Sequence, residues 1–146
     1  KYVNLFQIGT KAVIKKMDRT DDLVQIIVQG IERIEILGVE QETPFLKARV
    51  RPLMRPEDLD TETEALHRAV LELAGKVLEI VNPKAQAGLS QMISQVKEPL
   101  HQVYLISSIV PLDLEKEQAL LAATTRAEAL QHNRSGISEL ETVCFF

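Results

Sequence analysis

An α+β fold is predicted for this chain, an antiparallel β subdomain followed by an α-helical bundle, and three observations carry that prediction. Short β-type runs are confined to Leu5–Leu53. After Pro52 and Pro56 the apolar spacing changes from two residues to three and four, the change from strand to helix periodicity. The charge splits at the same place: residues 1–55 carry 10 basic and 7 acidic side chains, a balance of +3, whereas 56–146 carry 7 and 14, a balance of −7. The expected organisation is a β subdomain over 1–55, a helical bundle over 56–131, and a tail over 132–146 that is foreign or disordered.

Four strands are expected in the first part, with breaks at Gly9, Asp18 to Asp22, Gly30, Gly38 and Glu42 to Pro44. Leu46, Ala48 and Val50 alternate with Lys47, Arg49 and Arg51, which puts apolar groups on one face and cations on the other. Val24, Ile26 and Val28 alternate with Gln25, Ile27 and Gln29, the pattern of a central strand. Gly30 then interrupts the run, as at a bulge or corner, before Ile34 and Ile36 resume it.

The first helix is read from Leu66, Val70, Leu73, Val77 and Ile80, with Thr61 and Glu64 as its capping box. Asn82-Pro83 ends it and opens a second helix striped by Leu89, Met92, Ile93 and Val96. A third runs from near Pro99 to Val110, where Pro111 stops it. Asp113 caps a fourth, and Thr125 with Glu128 starts a fifth. From His132 onward the apolar period is lost.

In a chain of 146 residues, 45% hydrophobic content suffices for a buried core. No run reaches the roughly 18 apolar residues of a membrane span. Lys1 to Ile14 lacks the charged-then-apolar order of a secretory signal, so a soluble intracellular protein is expected. The single cysteine, Cys144, excludes an internal disulfide and a thiolate metal cluster.

The order of motifs resembles the amino-terminal substrate-binding domain of Lon proteases. The residues that carry the likeness are Gly9-Thr10, Val28-x-Gly30-x-x-Arg33 and Pro44-Phe45-Leu46-x-Ala48, followed by Leu105-Ile106-x-x-Ile109-Val110-Pro111-Leu112 and a Thr-x-x-Glu helix start. The likeness covers roughly residues 4 to 131. It implies a PUA-like β subdomain that is truncated at its amino-terminal side and joined to a helical bundle. It also implies a non-catalytic role in binding unfolded, damaged or degron-bearing proteins, tethered to the rest of a hexameric protease. Strands missing before Leu5 would leave open edges, so self-association is expected. The resemblance places the protein in the bacterial cytoplasm, with the mitochondrial matrix as the alternative.

Catalytic chemistry is not expected here. There is no Gly-x-x-x-x-Gly-Lys-Ser/Thr loop to cradle a nucleotide, so ATP and Mg would belong to domains outside this chain. Ser94 and Lys97 match the residue types of the family's catalytic pair but read as solvated helix positions. Glu64 with His67 and Glu98 with His101 have the Glu-x-x-His spacing of di-iron bundles. Both pairs lie at helix starts rather than mid-helix, so no metal site is assigned.

The basic row Lys47, Arg49 and Arg51 reads first as a solvated strand face; RNA is the minor alternative, because stacking aromatics are sparse. A stand-alone module binding RNA or a small ligand is therefore the rival to the protease-domain reading. Phe45, Leu46 and Met54 are the candidate contacts for protein substrates, as apolar groups beside a polar rim. Met92 could adapt to varied clients, although core filling is the commoner use of such a residue. Gly9, Gly30 and Arg33 are candidate structural residues: Gly30 lets the backbone bend and Arg33 bridges the sheet to an acidic helix group.

Overall fold

The computed structural model describes residues 5–57, 60–81, 83–84 and 86–144. Three strands, β1 (Ile8–Arg19), β2 (Val24–Gln41) and β3 (Lys47–Pro52), precede five helices. These are α1 (Thr61–Val81), α2 (Gln86–Gln95), α3 (Pro99–Ile109), α4 (Leu114–Ala122) and α5 (Arg126–Cys144). The fold is α+β. Its contacts divide it into Lys1–Arg55 and Pro56–Phe146.

The first unit is an antiparallel sheet in the order β1-β2-β3. It has three strands among the described residues rather than four, because the two middle runs join into one 18-residue strand. Gly30 marks the join. Ala12 pairs with Gly30 and Lys11 with Glu32, so Ile31 is the extra residue of a bulge that leaves the ladder continuous. The glycine φ is not positive; a Cβ there would sit 3.3 Å from Thr10 Cγ2, so close approach is the constraint. Gly9 and Gly38 break nothing: Gly9 pairs with Ile34 inside β1, and Gly38 with Arg49 inside β2. The turn after β1 begins only at Thr20, whose amide donates to the Leu23 carbonyl at 2.9 Å.

β3 pairs only with Ile34–Gln41, so the half of β2 from Val24 to Gly30 has a single neighbour, β1. No described residue of the first unit is buried.

All burial lies in the second unit. Val70, Val77, Val103, Ile106 and Ile137 are fully enclosed, with Leu78, Leu100, Leu120 and Leu130 nearly so. α1 presents Thr63, Val70, Ala74 and Val77 to this core, whereas Ile80, expected in its stripe, faces solvent. Pro83 lies in a turn rather than at a helix start, and Asn82 is outside the described residues. In α2, Ile93 is buried and Met92 is exposed.

The helix starts are fixed by side-chain acceptors. Asp60, not Thr61, caps α1, its Oδ1 accepting from the Thr63 amide at 2.7 Å; standing one residue earlier, it reaches the third helical amide that a cap must satisfy. Glu98 caps α3 ahead of Pro99, accepting from the His101 amide at 2.8 Å. Asp113 caps α4 through the Lys116 amide at 2.9 Å. At α5 the Glu128 amide donates to Thr125 Oγ1 at 3.0 Å, and the Glu128 carboxylate reaches back to the Thr124 amide at 2.7 Å.

The stretch after 131 is not an irregular tail. α5 continues to Cys144, with Asn133 and Ile137 at zero exposure. Gly136 permits the approach that seats it: a Cβ there would lie 2.8 Å from Leu112 Cδ2. Lys116 of α4 pairs with Glu139 on its outer surface.

Ile137→Ala is expected to destabilise the chain by about 2–5 kcal/mol, the range for emptying a closed core site; an unchanged urea midpoint would detach this half of α5 from the core. Acid acts on the caps. The Lys116 amide, then its ammonium, hold the Asp113 carboxyl below its ordinary range, and the Thr124 amide, then its hydroxyl, do the same for Glu128. A lowered folded pKa gives stability that is present above the ordinary carboxylate range and lost as pH falls through it. Asp113→Asn keeps a cap acceptor but cannot titrate, so its melting temperature should fall less than the parent's between neutral pH and about pH 3.

Candidate functional site

The apolar groups that face solvent cluster on the strands. Ile14 pairs across the ladder with Val28, and Met17 with Ile26, so these four side chains share one face of the β1–β2 ribbon. All are more than half exposed. This surface arises because β3 does not extend alongside this part of β2.

Further along the same unit, Leu5, Phe6, Ile36, Leu37 and Val39 line a shallow apolar groove of about 310 Å³. The Ile36 amide donates to the Gln7 carbonyl at 2.8 Å and holds the chain before β1 against β2. Register shifts again around Leu37, since Ile36 pairs with Val50 and Gly38 with Arg49.

Phe45, Leu46 and Met54 are exposed, Met54 by 88%. They do not form one site. Phe45 and Leu46 precede β3 and Met54 follows it, with a six-residue strand between them, about 20 Å at about 3.3 Å per residue. Phe45 is held by Gln41, whose Nε2 donates to its carbonyl at 3.0 Å, and Lys47 Nζ lies 5.0 Å from its ring centre. Near Met54, Arg33 Nη2 donates to the Met54 carbonyl at 3.2 Å, and the Leu53 amide donates to the Arg33 carbonyl at 2.9 Å. Arg33 thus anchors the segment that leaves β3.

Carboxylates one strand away engage the basic row of β3. Arg51 pairs with Glu35, its partner in register, and Arg49 Nε lies 3.6 Å from Glu40. Gln7 Nε2 adds a bond to Glu35 at 3.0 Å, and Lys11 bonds Glu32 at 2.9 Å. This is a solvated polar face with its charges interleaved.

In the helical unit the Glu-x-x-His pairs serve other ends. Glu98 divides its oxygens between the His101 amide and Arg126 Nη2, the latter at 3.0 Å. Arg126 also donates through Nε to the Pro56 carbonyl at 3.0 Å, with its side chain only 12% exposed. Glu64 is exposed, while His67 Nε2 is enclosed without a hydrogen-bond partner among the described residues. Among the described residues no three His, Cys, Asp or Glu side chains gather to hold a metal. Ser94 Oγ donates to the Gln91 carbonyl of its own helix at 2.8 Å, and both Ser94 and Lys97 are exposed. No helix of the described residues is long and apolar enough to cross a membrane.

Sequence reasoning passed over Arg126, which reads as one more charge at a helix start. Its only sequence signal is a cation at the start of α5, where the helix dipole disfavours it and a buried carboxylate partner is needed.

A sheet that exposes its apolar face, followed by a closed helical bundle, is the architecture of a binding domain rather than of a catalytic one. The chain belongs to the family described as the ATP-dependent protease La (LON) substrate-binding domain, whose family model matches residues 3–133. It is 54% identical over 128 residues to the Lon protease of Nitrosococcus oceani, a match covering 88% of this chain and 17% of that protein. With the Lon protease of Anaeromyxobacter dehalogenans it shares 32% over 120 residues, covering 81% of this chain and 14% of the relative. Its fold matches the N-terminal domain of the Mycobacterium avium complex Lon protease with a TM-score of 0.73 at 19% identity, covering 91% of this chain and 70% of that one. The chain therefore spans about a sixth of the length of its sequence relatives, and the family describes their non-catalytic, substrate-binding part.

Arg126→Met, which strands Glu98 and the Pro56 carbonyl, should lower stability by about 2–3 kcal/mol by urea unfolding, the range for losing charged hydrogen bonds in a largely enclosed setting. Arg126→Lys should recover little, since one ammonium cannot reproduce the two-sided guanidinium fork. Full recovery by lysine would reduce the role of Arg126 to simple charge.

Proposed function

We propose that this chain recognises and tethers unfolded, damaged or degron-bearing proteins for a Lon-type ATP-dependent protease of the bacterial cytoplasm, in the service of protein quality control. The observation that supports this reading is the solvent-facing apolar surface of the first unit: the Ile14, Met17, Ile26 and Val28 face, the groove beside Phe6 and Leu37, and Phe45, Leu46 and Met54. Unfolded clients carry apolar segments and unpaired backbone, and both find complements on an exposed strand face and a strand edge. β1 and β3 are the outer strands of the sheet, so their edges can accept an added strand from a client or from a second copy of the chain.

Each such contact is weak. Several copies in one assembly raise the effective concentration at the entrance, which suits capture and release better than one tight site.

The test is binding of carboxymethylated, unfolded lysozyme against native lysozyme and single-stranded RNA. Unfolded lysozyme should bind best, and Ile26→Asp with Val28→Asp should weaken it about ten-fold while leaving the helical unit folded. Preference for RNA with a steep salt slope would favour a nucleic-acid module instead. Light scattering of the same samples at high concentration should show association; a monomeric mass there removes self-association from the reading.

A further inference from the structure

We propose that the cleft between α1, α2 and α3 binds the tyrosine side chain of an extended client polypeptide, with Gln102 as the acceptor of its phenolic proton. This deepens the reading of the chain as a client-binding domain and rests on it.

Gln102 of α3 is buried, 9% exposed, and its carboxamide lines the cleft. Its Nε2 donates to the Ile93 carbonyl at 3.0 Å and to the Val96 carbonyl at 2.6 Å. Carbonyls only accept, so these two bonds fix which end of the amide is nitrogen. Oε1 must then point the other way, and it is enclosed with no hydrogen-bond partner among the described residues. A buried acceptor held in place without a donor is costly unless something supplies one.

The space in front of it selects what that can be. The cleft holds about 180 Å³, walled by Leu71, Leu78 and Ile93. That is below the roughly 300–1,000 Å³ of small-molecule sites, so a single side chain suits it better than a whole cofactor. Serine or threonine would leave the walls uncovered, and a lysine ammonium would lose its hydration against leucine and isoleucine. A phenol presents a rigid apolar ring to the walls and one donor at its tip. Gly75 forms part of the opening: a Cβ built there meets nothing within 4 Å. A larger side chain at 75 therefore grows into open space rather than into the core.

The experiment follows amide resonances of the whole chain, including the Gln102 side-chain NH2, during titration with N-acetyl-tyrosinamide and with N-acetyl-phenylalaninamide. The tyrosine amide should bind in the millimolar range, about five-fold tighter than the phenylalanine amide, as one net hydrogen bond allows. Shifts should centre on Gly75, Ser94 and Gln102. Gly75→Leu should abolish both titrations while raising the melting temperature, because leucine is the better helix former. Equal affinity for the two amides, no response, or unchanged binding by Gly75→Leu overturns the proposal. The titration involves no client, so its failure leaves capture by the strands standing. Failure of unfolded lysozyme to bind while the tyrosine amide still does overturns the client reading and, with it, the assignment of this cleft to clients.

Discussion

An antiparallel sheet needs a second layer to bury an apolar face, and the three strands of this chain enclose no described residue. That constraint divides the labour within the molecule. Hydrophobic stabilisation comes from the helices, where α1, α3 and α5 close around Val70, Val103, Ile106, Leu130 and Ile137. The strands are held by their hydrogen-bond ladder and by cross-strand pairs such as Lys11 with Glu32, which sit in water and contribute little each. What they present instead is surface. An apolar ribbon face that stabilises nothing in the chain is free to be stabilised by something else, which is the property a binding domain requires.

Within the helical unit, polar groups set the register that apolar packing alone would leave loose. Asn133 is fully enclosed on α5, and its Nδ2 donates to Ser107 Oγ at 2.5 Å and to the Val103 carbonyl at 3.4 Å. Sliding α5 along α3 would part these groups and leave a buried amide unmet. Arg126 acts similarly at the other end of α5, tying it to the cap of α3 and to Pro56. Two polar anchors about two turns apart thus fix one helix against another.

Much of this was legible in the residues, and the failures have physical causes. The change of period after Pro56, the proline at the start of α3, the Asp113 cap and the Thr125–Glu128 start all depend on local chemistry, and each stands where the sequence puts it. The strand breaks at Gly9 and Gly38 misread glycine as an interruption; in an antiparallel ladder it can pair like any residue, and only Gly30 sits at a bulge. α5 was lost beyond His132 because its inward face there uses Asn133 and Gly136, buried by hydrogen bonding and close approach rather than by hydrophobicity. Phe45, Leu46 and Met54 were legible as apolar groups in polar surroundings. That β3 separates them, and that Ile14, Met17, Ile26 and Val28 make the broader exposed face, depends on pairing register, which alternation alone does not specify.

Charge is where composition and geometry pull apart most. A β unit of net charge +3 with three cations along one strand suggests a phosphate-binding face. Yet Arg51 and Arg49 lie against Glu35 and Glu40, and Lys47 lies over Phe45. A phosphate approaching this row meets carboxylates held at the same depth, so each contact it gained would displace an existing ion pair and bring two anions together. An extended polypeptide meets no such opposition: its backbone is neutral, and its side chains can settle on the apolar positions between the charges. The same interleaving that leaves no concentrated positive field makes the strands a surface suited to many unfolded sequences and to none in particular.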